Sequence, residues 1–160
     1  MTDQMQAIPD SLEFQGNLGL ANKLLSHGRV DGGTMQRTIL VVDDMDEVRE
    51  MCSQYLAHEG FRVAVASNGQ EAVDTTSKIL PTLVLMDLSL PIMGGLEATK
   101  RIKGDPKTQH IPVILMTAQT RNGSAAVIEA GCEGFLVKPA APREIVAEIE
   151  RVLKRARSGQ

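Results

Sequence analysis

Aromatic residues are scarce in this chain of 160 residues: they make up 2% of it, with no tryptophan and one tyrosine. Such scarcity argues against a base-stacking surface for nucleic acid and against an aromatic carbohydrate cleft, and it predicts an aliphatic core. The net charge of −3 offers no general attraction to nucleic acid. We therefore expect no nucleic-acid partner, and we interpret the basic residues near the C-terminus as a solvated helix end.

Cysteines and long apolar runs are also few. Cys52 and Cys132 have no second ligand pair nearby, which disfavours a disulfide scaffold and a zinc site and suits a reducing cytoplasm. The N-terminus contains Asp3 and Asp10 and no unbroken apolar stretch, so we expect neither a signal peptide nor a membrane span. Hydrophobic residues make up 42% of the chain, which is typical of a globular protein.

Short apolar runs alternate with amphipathic segments five times from Thr38 onward. The predicted strands are 38–43, 61–65, 82–87, 112–116 and 134–137, and the predicted helices are 45–58, 69–79, 94–103, 121–130 and 142–156. Parallel strands joined by right-handed crossovers place helices on both faces of a sheet. The pattern therefore predicts an α/β, doubly wound, five-stranded parallel sheet with five helices in three layers.

Local signals mark several helix ends. Gly60 and Gly131 follow predicted helices, where a positive φ favours glycine. The spacing of an N-terminal capping box occurs twice, in Asp44 with Glu47 and in Asn68 with Glu71.

The first 36 residues differ from the rest because they contain no strand-like run and several glycines. Residues 18–27 are weakly amphipathic, but about ten residues form only a marginal helix without a partner. We expect an N-terminal extension over 1–36 that is mobile or forms a short helix, a folded domain over 37–157 and a tail over 158–160.

Polar side chains close four of the predicted strands. Asp43 and Asp44 close the first strand, Asp87 the third, Thr117 follows the fourth and Lys138 follows the fifth. The carboxyl ends of parallel strands meet at one sheet edge, which is where open α/β sheets bind ligands. Three acids, a hydroxyl and an ammonium together suit a divalent metal and a phosphoryl group.

These residues can supply phosphoryl transfer onto a carboxylate. Asp87 stands alone on the central strand, so it is our candidate nucleophile. Asp43 and Asp44 are adjacent and better suited to hold Mg²⁺ directly and through water. Lys138 and Thr117 can donate to the remaining phosphoryl oxygens. Strong metal dependence is expected because the cation offsets the repulsion among the three acids.

The chain resembles the receiver domain of bacterial two-component response regulators over about residues 37–157. Four segments carry the resemblance together: Ile39-Leu40-Val41-Val42-Asp43-Asp44, Leu85-Met86-Asp87-Leu88-Ser89-Leu90-Pro91-Ile92-Met93-Gly94-Gly95, Met116-Thr117-Ala118 and Phe135-Leu136-Val137-Lys138-Pro139. The resemblance implies a flavodoxin-like sandwich with strand order 2-1-3-4-5.

The resemblance also implies a chemistry. Asp87 would accept a phosphoryl group from a sensor histidine kinase, from a histidine phosphotransfer protein or from a small donor such as acetyl phosphate. Asp43, Asp44, Asp87 and the backbone carbonyl of Ser89 would bind Mg²⁺, for which Mn²⁺ can substitute. The Lys138-Pro139 peptide would be cis, which is chemically accessible only before proline.

Activation in the family couples Thr117 to an aromatic residue three positions before the lysine, here Phe135 where many members have tyrosine. The resemblance implies that this pair changes the face formed by the fourth helix, the fifth strand and the fifth helix. Only three residues follow the predicted domain, so we expect a stand-alone regulator, like those of chemotaxis, that signals through an unidentified protein partner. We further expect a monomer or weak dimer with no membrane or nucleic-acid partner.

Two other functions share part of this pattern. Haloacid-dehalogenase-type enzymes also use an aspartyl nucleophile, Mg²⁺, a hydroxyl and a lysine, and Asp44-Met45-Asp46-Glu47-Val48 is similar to their opening motif. These enzymes need further acids late in the chain to hold the metal, and a cap over the substrate, whereas no aspartate follows Asp105 here. Turnover of an external phosphate ester would distinguish them from a signalling module, which catalyses only its own phosphorylation and dephosphorylation.

The second alternative is a dinucleotide-binding domain. It would need a glycine-rich turn where Asp44-Met45-Asp46 stands.

Overall fold

Five parallel strands form one sheet in the order β2-β1-β3-β4-β5. The computed structural model describes residues 36–118 and 124–159, and within them the elements follow one another in strict alternation. They are β1 (Thr38–Val42), α1 (Asp46–His58), β2 (Arg62–Ala66), α2 (Gly69–Ile79), β3 (Leu83–Asp87), α3 (Gly95–Gly104), β4 (Val113–Thr117), α4 (Ser124–Glu129), β5 (Gly134–Val137) and α5 (Pro142–Ser158).

The core has two layers, one on each face of the sheet. Alternate residues of β1, β3 and β4 point to opposite faces, and all of them except Thr38 are buried. Ile39, Leu85 and Ile114 pack with residues of α1 and α5. On the other face, Leu40 and Met86 pack with residues of α2 and α3. Aliphatic strands buried on both sides explain why a core with so few aromatic residues is sufficient.

The predicted architecture is confirmed, with small shifts at element ends. The strand order and parallel pairing are as expected, and most bounds agree within one residue. Gly60 and Gly131 have φ of 91° and 83°, as their positions after helices predicted. The fourth helix was predicted from 121, but the structure begins it at Ser124, and residues 119–123 lie outside the described part of the chain. The predicted extension falls almost entirely on 1–35, which are also outside it, and the predicted domain bounds remain a prediction.

The predicted capping box at Asp44 and Glu47 is wrong. Helix α1 has Met45 as its N-cap residue and no side-chain cap. Instead, Asp43 Oδ1 accepts the N–H of Met45 at 3.0 Å, so the buried acid orders this turn in place of its neighbour. Of the two acids before α1, Asp43 is therefore buried and Asp44 is exposed.

The second predicted cap is correct for Asn68, whose Oδ1 accepts the N–H of Glu71 at 2.8 Å. The reciprocal half of the box differs from the expectation. The carboxylate of Glu71 accepts hydrogen bonds from the backbone and hydroxyl of Ser67, not from the backbone of Asn68.

Side chains of α5 cover the start of the outer edge of β5. Glu148 Oε1 accepts the N–H of Phe135 at 3.4 Å, and Arg151 donates to the carbonyl of Glu133 at 3.4 Å. The hydrogen bond from Arg151 is the main reason that the pKa of Glu148 lies below its usual value. An ionised Glu148 therefore accepts a hydrogen bond from a backbone N–H that no other strand of the described sheet reaches.

The start of β1 is tied to the opposite end of the chain. Arg37 donates two hydrogen bonds to the carboxylate of Glu150, at 2.9 and 3.1 Å, and its guanidinium lies 4.7 Å from the ring centre of Phe61.

Among the described residues, no helix is long and apolar enough to cross a membrane.

Candidate functional site

Three carboxylates meet where β1 and β3 end. The two strands are paired with Val42 opposite Met86, so the residues that follow, Asp43 and Asp87, emerge side by side. Asp43 and Asp87 are buried and Asp44 is exposed. One carboxylate oxygen from each of the three lies within 4.8 Å of the others. The predicted convergence of the acids is therefore present in the structure.

Lys138 reaches this cluster from β5. Its Nζ lies 2.6 Å from Asp43 Oδ2 and 3.3 Å from Asp87 Oδ2. The Lys138-Pro139 peptide is cis, as the resemblance implied. The backbone N–H of Lys138 donates to the carbonyl of Thr117 at 2.7 Å, which brings the ends of β4 and β5 together. Thr117 itself is 3% exposed. All five predicted strand-end residues thus lie at one edge of the sheet.

Burial and charge shift the proton affinities in this cluster. Burial is the largest cause that raises the pKa of Asp87, and the charge of Asp43 raises it further, while Lys138 acts in the opposite direction. Burial alone would lower the pKa of Lys138, but hydrogen bonding to Asp43 and the charges of Asp43 and Asp87 outweigh it and raise that pKa. Asp87 therefore ionises less readily than an ordinary aspartate.

The donor set fits a divalent cation with oxygen ligands. If all groups are ionised, three carboxylates facing one ammonium leave two negative charges uncompensated. Hard carboxylate oxygens are the ligands that Mg²⁺ prefers, and two or three of them suffice because the ion keeps several waters. Ser89 lies next to the cluster, since its N–H donates to Asp87 Oδ1 at 3.4 Å.

Two glycines hold the loop after β3 against its neighbours. A Cβ on Gly95, the first residue of α3, would lie 2.1 Å from the carbonyl oxygen of Asp87. A Cβ on Gly69, at the start of α2, would lie 2.1 Å from the carbonyl oxygen of Met93. The N–H of Gly69 donates to that same oxygen at 3.0 Å. The loop carrying Ser89 is therefore packed backbone to backbone at both ends.

Arg49 is a neighbour of the site that the sequence patterns did not indicate. Its guanidinium donates to the backbone carbonyl of Asp43 at 2.6 Å and also forms an ion pair with Asp46. Its position one turn into α1 is the only sequence signal that could have identified it. It adds a positive charge behind the acid cluster and supports the turn after β1.

The predicted switch residues lie on adjacent strands. Thr117 ends β4 and Phe135 lies in β5, where Phe135 pairs with Leu115. Phe135 is 36% exposed, so its ring is at the protein surface. Ile128 of α4 and Val137 of β5 are exposed apolar residues of the same region of the chain.

Comparisons with known proteins agree with this geometry. A family model of the response regulator receiver domain matches residues 39–150. The transcriptional regulatory protein SrrA of Staphylococcus aureus is 34% identical over 125 residues, which cover 78% of this chain and 51% of that protein. The chain thus spans about half the length of the curated relatives it matches.

Solved structures of similar fold match this chain over nearly the whole of their own length. The chemotaxis response regulator CheY4 of Vibrio cholerae matches with a TM-score of 0.70 and 27% identity, over 74% of this chain and 99% of that one. A CheY-like response regulator receiver domain protein of Methanospirillum hungatei matches with a TM-score of 0.72 and 26% identity, over 79% and 100%. Family match, strand order and acid cluster agree, and the chain therefore belongs to the response regulator receiver domain family of two-component systems.

Proposed function

We propose that this chain is a phosphorylation-activated signalling module in which Asp87 accepts the phosphoryl group. The donor is the phosphohistidine of a sensor histidine kinase or of a histidine phosphotransfer protein. The observation that carries the proposal is the meeting of three carboxylates within 4.8 Å, with Lys138 bridging the buried two. A charged cluster of this kind costs folding free energy, and a core does not need it.

The transfer forms one bond and breaks one bond. An oxygen of the Asp87 carboxylate attacks phosphorus in line, giving an acyl phosphate. The P–N bond of the donor histidine breaks, and its electron pair returns to the ring nitrogen. With acetyl phosphate, the P–O bond to acetate breaks instead. Lys138 and Thr117 donate hydrogen bonds to the phosphoryl oxygens. Lys138 gives up its contact with Asp87 to do so.

Asp43, Asp44 and Asp87, with the backbone carbonyl of Ser89, are the proposed ligands of Mg²⁺ or Mn²⁺. The cation, when bound, neutralises the charge that accumulates on the phosphoryl oxygens. Asp43 must then share its carboxylate between the cation and Lys138. The exposure of Asp44 supports a role through bound water, and the burial of Asp43 supports direct ligation.

The proposed output is a change of surface shape that a downstream protein reads. Thr117 moves toward the phosphoryl group, and Phe135 turns inward into the space that becomes free. The face formed by α4, β5 and α5 then differs between the two states, and a partner with higher affinity for one of them is regulated. A phenylalanine lacks the hydroxyl of tyrosine, so the bias between states depends on packing alone.

Labelling with acetyl phosphate tests the acceptor. The wild-type protein with Mg²⁺ should gain one phosphoryl mass, and chelation of the metal should prevent it. Asp87→Asn should abolish the gain, whereas Asp74→Asn, which alters an exposed acid of α2, should not. Full labelling of Asp87→Asn would show that another residue is the acceptor.

A pulldown with phosphorylated and unphosphorylated protein tests the output. Phe135→Ala should leave labelling of Asp87 intact and should reduce the gain in partner binding that phosphorylation produces. Binding that disappears on deletion of residues 1–34 would instead assign recognition to the N-terminal segment. The expected cytoplasmic location and the monomeric or weakly dimeric state stay predictions.

A further inference from the structure

An isoleucine occupies a strained turn beside the acid cluster. Ile92 has φ of 67°, and the N–H of Met93 donates to the carbonyl of Pro91 at 2.7 Å. A hydrogen bond from residue i+2 to residue i with positive φ at the centre defines a γ-turn of the rare, strained kind. Side chains branched at Cβ are the least suited to this conformation, and glycine or asparagine would adopt it at lower cost.

The surroundings prevent the turn from relaxing. The carbonyl of Met93 accepts the N–H of Gly69 at 3.0 Å, and the N–H of Gly95 donates to the carbonyl of Leu88 at 3.0 Å. Neither glycine has room for a Cβ, so the loop cannot slide along either neighbour. Met93 is itself 8% exposed and packs in the core layer below. Strain persists where packed surroundings impose it, and such sites are often functional.

The side chain of Ile92 points away from this packing. It is 84% exposed, the largest exposed fraction among the large hydrophobic residues that the structure describes. Met45, which follows Asp44, is 53% exposed at the same edge of the sheet. The loops after β1 and β3 therefore each present an apolar side chain beside the acids. Ile92 costs free energy both in its backbone and in its contact with water, and nothing in the described fold repays either.

We propose that Ile92 is an apolar anchor for the protein that delivers the phosphoryl group to Asp87. The inference rests on the proposed function and names a recognition residue for it. Ile92 lies five positions after Asp87, which limits the distance between their Cα atoms to about 18 Å even for an extended chain. The hydrogen bond between Gly95 and Leu88 folds the loop back and shortens that distance. A protein that places a phosphohistidine against Asp87 is therefore large enough to cover Ile92 as well, whereas a small donor is not.

Rigidity gives the anchor its value. A side chain on a fixed turn loses little conformational freedom when a partner covers it, so most of the gain from burying it contributes to affinity. The donor surface that fits is apolar and lies next to the phosphorylated histidine. The turn belongs to the loop after β3 and so is not part of the face of α4, β5 and α5 that a downstream target is proposed to read.

The test compares a protein donor with a small donor. The histidine kinases and phosphotransfer proteins encoded in the same genome are each autophosphorylated with radioactive ATP and mixed with wild type or Ile92→Asn. Asparagine tolerates the turn, so the variant should melt at the same temperature or higher. Transfer from the protein donor should slow about tenfold or more, while labelling by acetyl phosphate should be unchanged.

Two matched variants control for size and position. Ile92→Leu keeps an apolar side chain without branching at Cβ and should retain transfer. Ile79→Asn removes an exposed isoleucine at the end of α2, 41% exposed and at the opposite edge of the sheet, and should have no effect.

Three results would overturn the anchor. They are equal transfer to Ile92→Asn, an equal slowing with both kinds of donor, and labelling of the wild type by acetyl phosphate but by no protein of the panel. If acetyl phosphate itself fails to label the wild type, the proposed function fails first, and the two failures are thereby distinguished.

Discussion

Gly94 and Gly95, at the start of α3, give the sharpest test of how the fold positions Asp87, the proposed phosphoryl acceptor. Gly95→Ala would place a Cβ 2.1 Å from the carbonyl oxygen of Asp87 and 3.0 Å from Leu88 Cα, and both are backbone atoms. An ordinary contact begins at 3.4 Å, so the gap to Asp87 must open from 2.1 to 3.4 Å, by 1.3 Å. Either α3 or the end of β3 has to move.

The two measurable consequences differ in kind. Alanine in the middle of a helix is more stable than glycine by about 0.5–1 kcal/mol, which is an upper bound for this first helical position. Overpacking of this sort costs about 1–3 kcal/mol, so urea unfolding should show a net loss of stability. A displacement of about 1 Å at a reacting group costs on the order of 10²-fold in rate, so labelling of Asp87 by acetyl phosphate should fall by about that factor.

Gly94→Ala is the matched control, since the nearest atom to its Cβ is the carbonyl oxygen of Leu88 at 3.7 Å. Its φ of −65° suits any residue, and the change at this N-cap position should cost below about 1 kcal/mol. Labelling of Gly94→Ala should stay near that of the wild type. If Gly95→Ala labels as fast as Gly94→Ala, the close approach does not position Asp87 and the reasoning is refuted.

Three further predictions follow from burial and backbone geometry. Because the pKa of Asp87 is raised in the folded protein, its ionisation lowers the free energy of unfolding of the metal-free protein as pH rises above the ordinary aspartate pKa of 3.8. Asp87→Asn should therefore have a higher urea midpoint than wild type at neutral pH, and the difference between the two midpoints should shrink as pH falls toward 3.8. Leu80 is the C-cap residue that follows α2, with φ of 46°, and is 45% exposed. Leu80→Gly should therefore raise the free energy of unfolding by about 0.5–1 kcal/mol, and a lower urea midpoint would contradict this. Burial raises the pKa of the Cys52 thiol to about 11, so a thiol reagent should modify Cys132 first in native protein, and rapid reaction of both would be inconsistent with the core.

The sequence predicted the sheet and the meeting of its polar strand ends because both depend on regular periodicity. Buried parallel strands read as short apolar runs, and the residue that follows each run must emerge at the carboxyl edge. The sequence alone therefore predicts that Asp43, Asp87 and Lys138 lie together. Their family resemblance added the cis peptide before Pro139.

The details that escaped prediction depend on contacts distant in sequence. Asp44 has the spacing of a helix cap, but the N–H of Met45 already donates to the neighbouring Asp43 and Met45 is the N-cap residue. The spacing rule for capping boxes therefore fails here, because a buried hydrogen bond orders the turn instead. The positive φ of Ile92 contradicts its residue type and arises from the packing of two glycines against backbone oxygens. Local preference could not have indicated it, because isoleucine is the residue least expected there.

The covered edge of β5 limits how another protein can engage this side of the sheet. An open edge strand offers a ladder of unpaired donors and acceptors onto which an incoming segment can add as a sixth strand. Here the donor of Phe135 and the acceptor of Glu133 are already occupied by Glu148 and Arg151. A partner that approaches the start of β5 should therefore recognise side chains and not main chain, which makes its choice dependent on residue identity. The same occupancy hinders edge-to-edge pairing at the start of this strand when the protein is concentrated.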